Sequence, residues 1–224
     1  MMKLAIYDLD RTITRIGTYT PFLVFAARRR APWRLLLLPI WLVLMIGYII
    51  GIYDRKALKE RGFLLLLGRH VGKSEMASLA EAYAAHVLTT NIYPAALDLI
   101  AADREAGHHL VLATASPDYY AIPLGRLLGM DTVIATVQAR QNEGDYHWRI
   151  ASPNCYGKDK LVMIEQWLGE AGLAGPALDA SFYTDSSSDM PTLRWSTQPV
   201  AVNPSRKLRR LAAQFNWTQK NLAR

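Results

Sequence analysis

Lys3-Leu4-Ala5-Ile6-Tyr7-Asp8-Leu9-Asp10-Arg11-Thr12 is the stretch on which the reading of this chain turns. Lys3 to Tyr7 reads as a short buried strand that runs directly into the two aspartates. Side chains alternate along an extended chain, so Asp8 and Asp10 point to the same side and bring two carboxylates to one spot. A pair of carboxylates at the carboxyl end of a strand is a natural seat for a divalent cation and a phosphate. Asp-x-Asp after an apolar run is also what a solvated strand end looks like, so the decision rests with residues further along the chain.

Three further pieces come in order. Leu110 to Ala113 is a second apolar run and ends in Thr114-Ala115-Ser116-Pro117, which puts a hydroxyl at a strand terminus. Cys155-Tyr156-Gly157-Lys158-Asp159-Lys160 leads into the helical spacing Leu161, Ile164, Trp167, Leu168, which puts a lysine at a helix start. Phe182-Tyr183-Thr184 then opens into Asp185-Ser186-Ser187-Ser188-Asp189, with two more carboxylates four residues apart.

Asp-x-Asp-x-Thr, Ser/Thr, Lys and Asp-x-x-x-Asp in this order resemble the haloacid dehalogenase superfamily of phosphohydrolases. Each piece is common, and the full order is specific. The placement of an insertion between the first and second motifs, the Thr114 to Pro117 stretch and the YTDSSSD run resemble the phosphoserine phosphatase-like branch. The Arg-rich and Leu-rich insertion is similar, in composition and layout only, to the phosphatidylglycerophosphatase group of that branch. The resemblance implies a Rossmann-like α/β core, a mostly parallel sheet with helices on both faces, and an inserted α-helical cap. Residues 1–14 and 107–224 are expected to form the core, and 15–106 the cap.

The same resemblance implies the chemistry. Asp8 would attack phosphorus and form an aspartyl phosphate, and Asp10 would protonate the leaving oxygen and later activate water. Magnesium is the expected ion, bound by the side chains of Asp8 and Asp185 and the backbone carbonyl of Asp10. Asp189 would bind it directly or orient one of its waters. Thr114 would donate to a phosphoryl oxygen, and Lys160 would neutralise charge there and on Asp8. Lys158 competes for the lysine role, and Lys160 is preferred because the apolar helical pattern starts immediately after it. Two departures from the family pattern stand out. Arg11 occupies a position that is commonly small, where it either crowds the loop or contacts an anionic substrate. Gly17 stands where phosphoserine phosphatases usually have a glutamate for the substrate's amino group, which counts against phosphoserine.

Composition narrows the class. The 224 residues, 51% hydrophobic and 20% charged, suffice for one full core and a modest insertion. The one cysteine, Cys155, cannot form an intramolecular disulfide and reads as a small packing residue. A net charge of +7 points to an anionic partner or surface. Arg28, Arg29, Arg30 and Arg34 supply part of it, and Arg206, Lys207, Arg209 and Arg210 form a second cluster that reads as a solvated helix face. Neither cluster has interleaved aromatic residues or a nucleic-acid motif, so no nucleic acid is expected. His70, His86, His108, His109 and His147 lack zinc-ligand spacing. Asp8 and Asp10 interrupt any signal-peptide pattern, which places the expected enzyme in the cytoplasm.

Strand candidates are Lys3 to Tyr7, His109 to Ala113, Thr132 to Val137, Ser181 to Thr184 and Pro199 to Val202. Helices are expected over Tyr119 to Leu128, Lys160 to Glu170 and Ser205 to Gln214. A hairpin around Gln141 to Arg149, turning at Glu143-Gly144-Asp145, is expected to decorate one edge. The unusual part is Leu35 to Tyr53, nineteen residues without a charge, flanked by arginines on one side and Asp54, Arg55 and Lys56 on the other. Its length suits a membrane span. A single crossing would put Asp8 and Asp10 on one side and Asp185 and Asp189 on the other, which a shared metal ion forbids. Two arrangements remain: a buried helical pair in the cap, or a helical hairpin broken near Pro39 that dips into one leaflet while residues 28–56 contact lipid.

The leading expectation is therefore a magnesium-dependent phosphatase of a lipid phosphate, such as phosphatidylglycerophosphate or lysophosphatidate, at the inner face of the cytoplasmic membrane. The alternative is a soluble phosphatase of a small metabolite with a phosphoserine-like substrate. A non-catalytic anion-binding or interaction module is a third reading, against which the complete motif set counts. An apolar cap can also bury itself in a second protein, so oligomeric state is left open.

Overall fold

The computed structural model describes residues 2–142, 144–173 and 178–222. Six strands form a parallel sheet: β1 (Met2–Tyr7), β3 (His109–Pro117), β4 (Thr132–Thr136), β7 (Leu178–Thr184), β8 (Gln198–Val202) and β9 (Thr218–Lys220). Their spatial order is β4-β3-β1-β7-β8-β9, which puts β1 between β3 and β7. A central strand of a parallel sheet is covered on both faces, and β1 meets that demand with the buried run Leu4 to Tyr7. Ala5 and Tyr7 pack on one face with Leu110, Leu112, Val200 and Val202. Leu4 and Ile6 pack on the other with Val111, Phe182 and Ala201.

Helices α7 (Lys158–Glu170) and α9 (Arg206–Gln214) cover the second face through Ile164, Leu168, Leu208 and Ala212. Helices α5 (Pro94–Glu105) and α6 (Asp118–Leu127) cover the first through Ala96, Ile100, Tyr120 and Leu124. Helix α9 buries Leu208 and Ala212 and exposes Arg206, Lys207, Arg209 and Arg210, the solvated face read from the sequence. The five expected strands are present, while β9 is an addition: Thr-Gln-Lys is polar and exposed on an edge, and carries no apolar signal to find it by.

The insertion consists of α1 (Tyr19–Arg30), a 3₁₀ turn (Pro32–Leu37), α2 (Leu38–Ile49), α3 (Arg55–Leu66), the short strand β2 (His70–Val71) and α4 (Lys73–Thr90). Its two ends are tied by a bridge between Thr14 and Ile92, with Arg15 N–H donating to Asn91 at 2.8 Å and Tyr93 N–H to Ile13 at 3.0 Å. Beyond that bridge α5 already belongs to the sheet, since its Asp103 accepts from Tyr7 of β1. We therefore take the insertion as 15–91 rather than 15–106.

The hairpin differs from expectation. Strands β5 (Gln138–Gln141) and β6 (Asp145–Ile150) pair antiparallel, but β2 of the insertion joins β6, so the three form a separate sheet rather than a fringe on the main one. The cause is a buried cap residue: Glu60 of α3 accepts from the Ile150 N–H at 3.0 Å and from Arg149 at 2.9 Å. Of the expected turn, Glu143 lies outside the described residues.

The apolar run is neither a continuous helix nor a buried pair. The 3₁₀ turn gives way to α2 with Pro39 in its first turn, where the missing N–H costs nothing. Trp41, Leu44, Met45 and Tyr48 recur at helical spacing and pack inward, while Leu42, Val43, Ile46 and Ile49 face out. By length and composition, one helical segment among the described residues, Pro32–Ile49, suits a membrane span. A single crossing is incompatible with the fold, because β1 and β7 are neighbours in one sheet.

Trp41 can lie flat against α3 because residue 62 is glycine. A Cβ there would come within 2.7 Å of the indole ring. Gly62→Ala is expected to displace Trp41 and destabilise the protein by about 1–3 kcal/mol. A melting temperature lowered by several degrees with altered tryptophan fluorescence is the expected result; an unchanged melt would show that α2 is not packed this way.

Candidate active site

After Tyr7 the ladder continues for one residue, with the Asp8 N–H donating to Tyr183 at 2.9 Å. The chain then closes a tight turn in which the N–H groups of Thr12, Ile13 and Thr14 converge on the Leu9 carbonyl at 3.3, 3.0 and 3.0 Å. Leu9 is buried in the core, so Asp8 and Asp10 are left on the opposite side, facing the end of the sheet. The turn places Arg11 at φ 65°, a left-handed conformation that costs a non-glycine residue energy and that the surrounding bonds must hold. Arg11 is exposed and lines the cavity at the strand ends.

Lys160 is the centre of the arrangement. It lies in the first turn of α7, 1% exposed, and its ammonium donates to Asp8 Oδ1 at 2.8 Å and to Asp189 Oδ2 at 2.7 Å. Burial alone would favour loss of its proton, but Asp189 and Asp8 outweigh it and hold the group charged, above the usual lysine value. Lys158, at the first position of α7, is exposed and takes no part in these bonds. Asp189 Oδ2 also accepts from Thr184 Oγ1 at 2.9 Å, and Oδ1 accepts from the Gly157 N–H at 3.3 Å, so Asp189 is fixed beside Lys160.

Thr12 links the two acidic loops by donating to Asp8 Oδ2 at 3.2 Å and accepting from the Asp185 N–H at 3.0 Å. Asp10 is held by a different set. Its Oδ1 accepts from the N–H and hydroxyl of Thr18, both at 2.8 Å, while Oδ2 has a long contact of 3.5 Å from Ser116. The Thr18 hydroxyl is in turn within 2.9 Å of Ser116 Oγ and 3.0 Å of Tyr120, and its carbonyl accepts from Tyr83 at 2.7 Å. Thr114 accepts from the Ser116 N–H at 3.0 Å, which leaves its own O–H free to donate toward the cavity it lines.

Asp8, Asp10, Arg11, Thr114, Lys160, Asp185 and Asp189 thus surround one cavity of about 270 Å³, with Arg55 and Tyr156 on its rim. The Arg55 guanidinium stacks over the Tyr156 ring at 4.4 Å. Arg55 reads in the sequence as a flank of the apolar run, and Thr18 as part of an unmarked loop, so neither carried a signal of its own. Cys155 is buried beneath the site, and burial pushes its thiol up to about 12, which keeps it inert.

Among the described residues no three His, Cys, Asp or Glu side chains converge as a ready-made metal cage. The donors that fit a hard divalent cation are two carboxylates, Asp8 and Asp185, and the Asp10 carbonyl, with water completing the shell. Burial pushes Asp8 up to about 6 against the pull of Lys160. Burial, and then the Asp8 charge, push Asp185 up to about 7. The Asp185 carboxylate accepts no hydrogen bond from any described residue. Asp8, Asp185 and Asp189 gather around one buried ammonium, and a bound cation would balance the excess of negative charge.

Comparison with known proteins agrees with this geometry. The model of the haloacid dehalogenase-like hydrolases matches residues 5–194, and the chain belongs to that family. A histidinol-phosphatase of Neisseria meningitidis is 27% identical over 65% of this chain and 66% of its own. The phosphoserine phosphatase SerB1 of Mycobacterium tuberculosis is 27% identical over 73% of this chain and 52% of its own. The chain thus spans about half to two thirds of these relatives. A protein of unknown function from Bordetella pertussis Tohama I superposes over 99% of both chains with a TM-score of 0.90 and 29% identity. A phospho-aspartyl intermediate analogue of phosphoserine phosphatase superposes over 100% of this chain and 94% of its own with a TM-score of 0.65. At 12% identity that likeness shows the fold alone, a mostly parallel α/β core with helices around it.

The raised carboxylates have a consequence for stability. A carboxyl whose value is about 7 folded and 3.8 unfolded penalises the folded state once both forms are ionised. The penalty is absent below about pH 4, grows as pH rises, and is complete above about pH 7. Without metal, Asp185→Asn is expected to be more stable than the parent at pH 8, by ~1–2 kcal/mol allowing for partial exposure, and equal to it at pH 4. Magnesium should raise the parent's melting temperature at pH 8 more than the variant's. Equal melts for both proteins across the range would contradict the assignment.

Proposed function

We propose that the chain hydrolyses a small, water-soluble phosphomonoester through an aspartyl phosphate on Asp8, with magnesium as cofactor. The observation that carries this reading is the division of labour around one cavity. Asp8 is fixed by Lys160 and Thr12, and Asp10 by Thr18 and Ser116, so adjacent carboxylates are held by separate bonds. Asp8 attacks phosphorus, and the oxygen of the leaving alcohol takes a proton from Asp10. Asp10 then removes a proton from the water that attacks the acyl phosphate, which restores Asp8 and releases phosphate.

Lys160 compensates the negative charge that gathers on Asp8 and the phosphoryl oxygens, and Thr114 donates to one of those oxygens. Asp8, Asp185 and the Asp10 carbonyl would hold magnesium, which when bound supplies the remaining positive charge at the phosphoryl group. Thr18 ties Oδ1 of Asp10, so Oδ2 is the oxygen left to move the proton. Arg11 and Arg55, at the rim of the cavity, attract an anionic ester.

The names of two relatives, a histidinol-phosphatase and a phosphoserine phosphatase, favour a soluble ester over the lipid phosphate expected from the cap. One observation supports the lipid as a second reading. The outward side of α2 exposes Leu42, Val43, Ile46 and Ile49, close in sequence to the exposed Trp33 and to Arg28 and Arg29, and no acidic residue occurs between Asp10 and Asp54. On that reading residues 28–56 rest on an anionic lipid surface, as the phosphatidylglycerophosphatase-like composition of the cap would have it.

Phosphate release from purified protein with magnesium tests both. Turnover of dissolved phosphomonoesters that exceeds turnover of phosphatidylglycerophosphate in vesicles, and is abolished in Asp8→Asn, is the expected result. Preference for the vesicle-borne lipid would overturn the soluble reading, and no release from any ester would overturn the mechanism. In the same assay Thr18→Val should lower turnover of alkyl phosphates at least tenfold more than that of p-nitrophenyl phosphate, whose leaving group needs no proton.

A further inference from the structure

A second cavity of about 440 Å³ opens off the reaction site and shares Asp10, Arg11, Gly17, Arg55 and Ala115 with it. Its walls are supplied by the cap: Tyr19 from α1, Trp41, Met45 and Tyr48 from α2, and Leu58 and Lys59 from α3. It begins beside the carboxylate that handles the leaving oxygen, so a substrate with its phosphoryl group at Asp8 extends its alcohol into this space. Resting on the phosphatase reading, we propose that the cavity selects a largely apolar alcohol that carries no amine.

Charge is the first ground. The basic side chains that line the cavity are Arg11, Arg55 and Lys59, against the one acidic side chain, Asp10. Asp10 has Oδ1 bound by Thr18 and keeps Oδ2 for the leaving oxygen. An ammonium on the alcohol would leave water to meet cations and no free carboxylate, a cost that paired burial normally offsets and here does not.

Hydrogen-bond capacity is the second. Two carbonyls at the cavity are already used: Ala115 accepts from the Lys59 ammonium, and the Lys59 carbonyl from the Tyr19 hydroxyl at 2.5 Å. An amine there would find these acceptors taken. Of the remaining lining, Ile16, Met45, Tyr48, Ile49 and Leu58 suit a hydrocarbon or aromatic body.

The same chemistry is shared by a dissolved aryl-alkyl phosphate and by a single-chain lipid phosphate, and the test separates them. Binding is measured by calorimetry with magnesium, using phosphonate isosteres that cannot be hydrolysed, so that it does not depend on turnover. The pair is 4-phenylbutylphosphonate and the same compound with an amino group in the position of an amino alcohol's. The amine-free compound is expected to bind on the order of tenfold or more tightly. Equal or tighter binding of the amine would overturn the proposal.

Met45→Glu places a carboxylate in the wall and should narrow or reverse the gap; the comparison on the unmodified protein stands if that variant does not fold. A monomeric alkylphosphonate that binds as tightly free in solution as when presented in phosphatidylcholine vesicles identifies a dissolved substrate. Tighter binding from the vesicle identifies a lipid one, and either agrees with the proposal. Amine discrimination without turnover of any ester would refute the phosphatase reading and leave the pocket's selectivity intact.

Discussion

A lysine ammonium taken out of water between two carboxylates is the constraint on which the rest of this structure depends. Lys160 cannot be buried unless Asp8 and Asp189 stand within hydrogen-bonding distance of it. Asp8 directly follows β1, Asp189 closes the 3₁₀ turn after the neighbouring strand β7, and Lys160 comes from the start of a helix that packs on the sheet beneath them. Removing Lys160 leaves two buried carboxylates uncompensated, and removing either carboxylate costs Lys160 a charge-assisted hydrogen bond, so the strand order, the position of α7 and the loop after β7 are fixed together. Thr12 and Thr184 close the network by binding the free lone pairs. The site is held rigid before any substrate arrives, which is the condition for charge stabilisation to act without reorganisation.

The cap completes what the core begins. Asp10 would be an ordinary solvated aspartate if Thr18, the residue before α1, did not donate to it twice. Tyr83 of α4 and Tyr120 of α6 hold Thr18 from the cap and core sides respectively. Lys59 joins the same two bodies by reaching Ala115 and Asn154, and its burial, with Arg55 nearby, brings it down to about 7. The setting of Asp10 and the second cavity are therefore built jointly by insertion and core, while the charge centre at Lys160 belongs to the core alone.

Most of the core could be read from the sequence, because buried parallel strands are short apolar runs and each ends in a residue type with a purpose. Asp8, Thr114, Lys160 and Asp185 were legible as strand or helix termini, and they line one cavity. The choice between Lys158 and Lys160 followed from where the apolar helical pattern begins. What could not be read was set by partners far along the chain. Thr18 meets Ser116 and Tyr120 across about a hundred positions. Strand β2 is two residues long and exists because β6 is there to pair with it. The apolar run showed its length but not its two faces, since Trp41 turns inward only because Gly62 makes room.

The central claim is that Asp8, and no other carboxylate at this site, carries the phosphoryl group between substrate and water. Rapid acid quench of the protein during turnover, followed by mass analysis of its peptides, tests it most directly. The account predicts one phosphoryl group on the peptide that contains Asp8, stable in acid and released by hydroxylamine, and absent from Asp8→Asn. Turnover with no covalent phosphoryl group on that peptide, or with one on the peptide that contains Asp185 and Asp189, would contradict it.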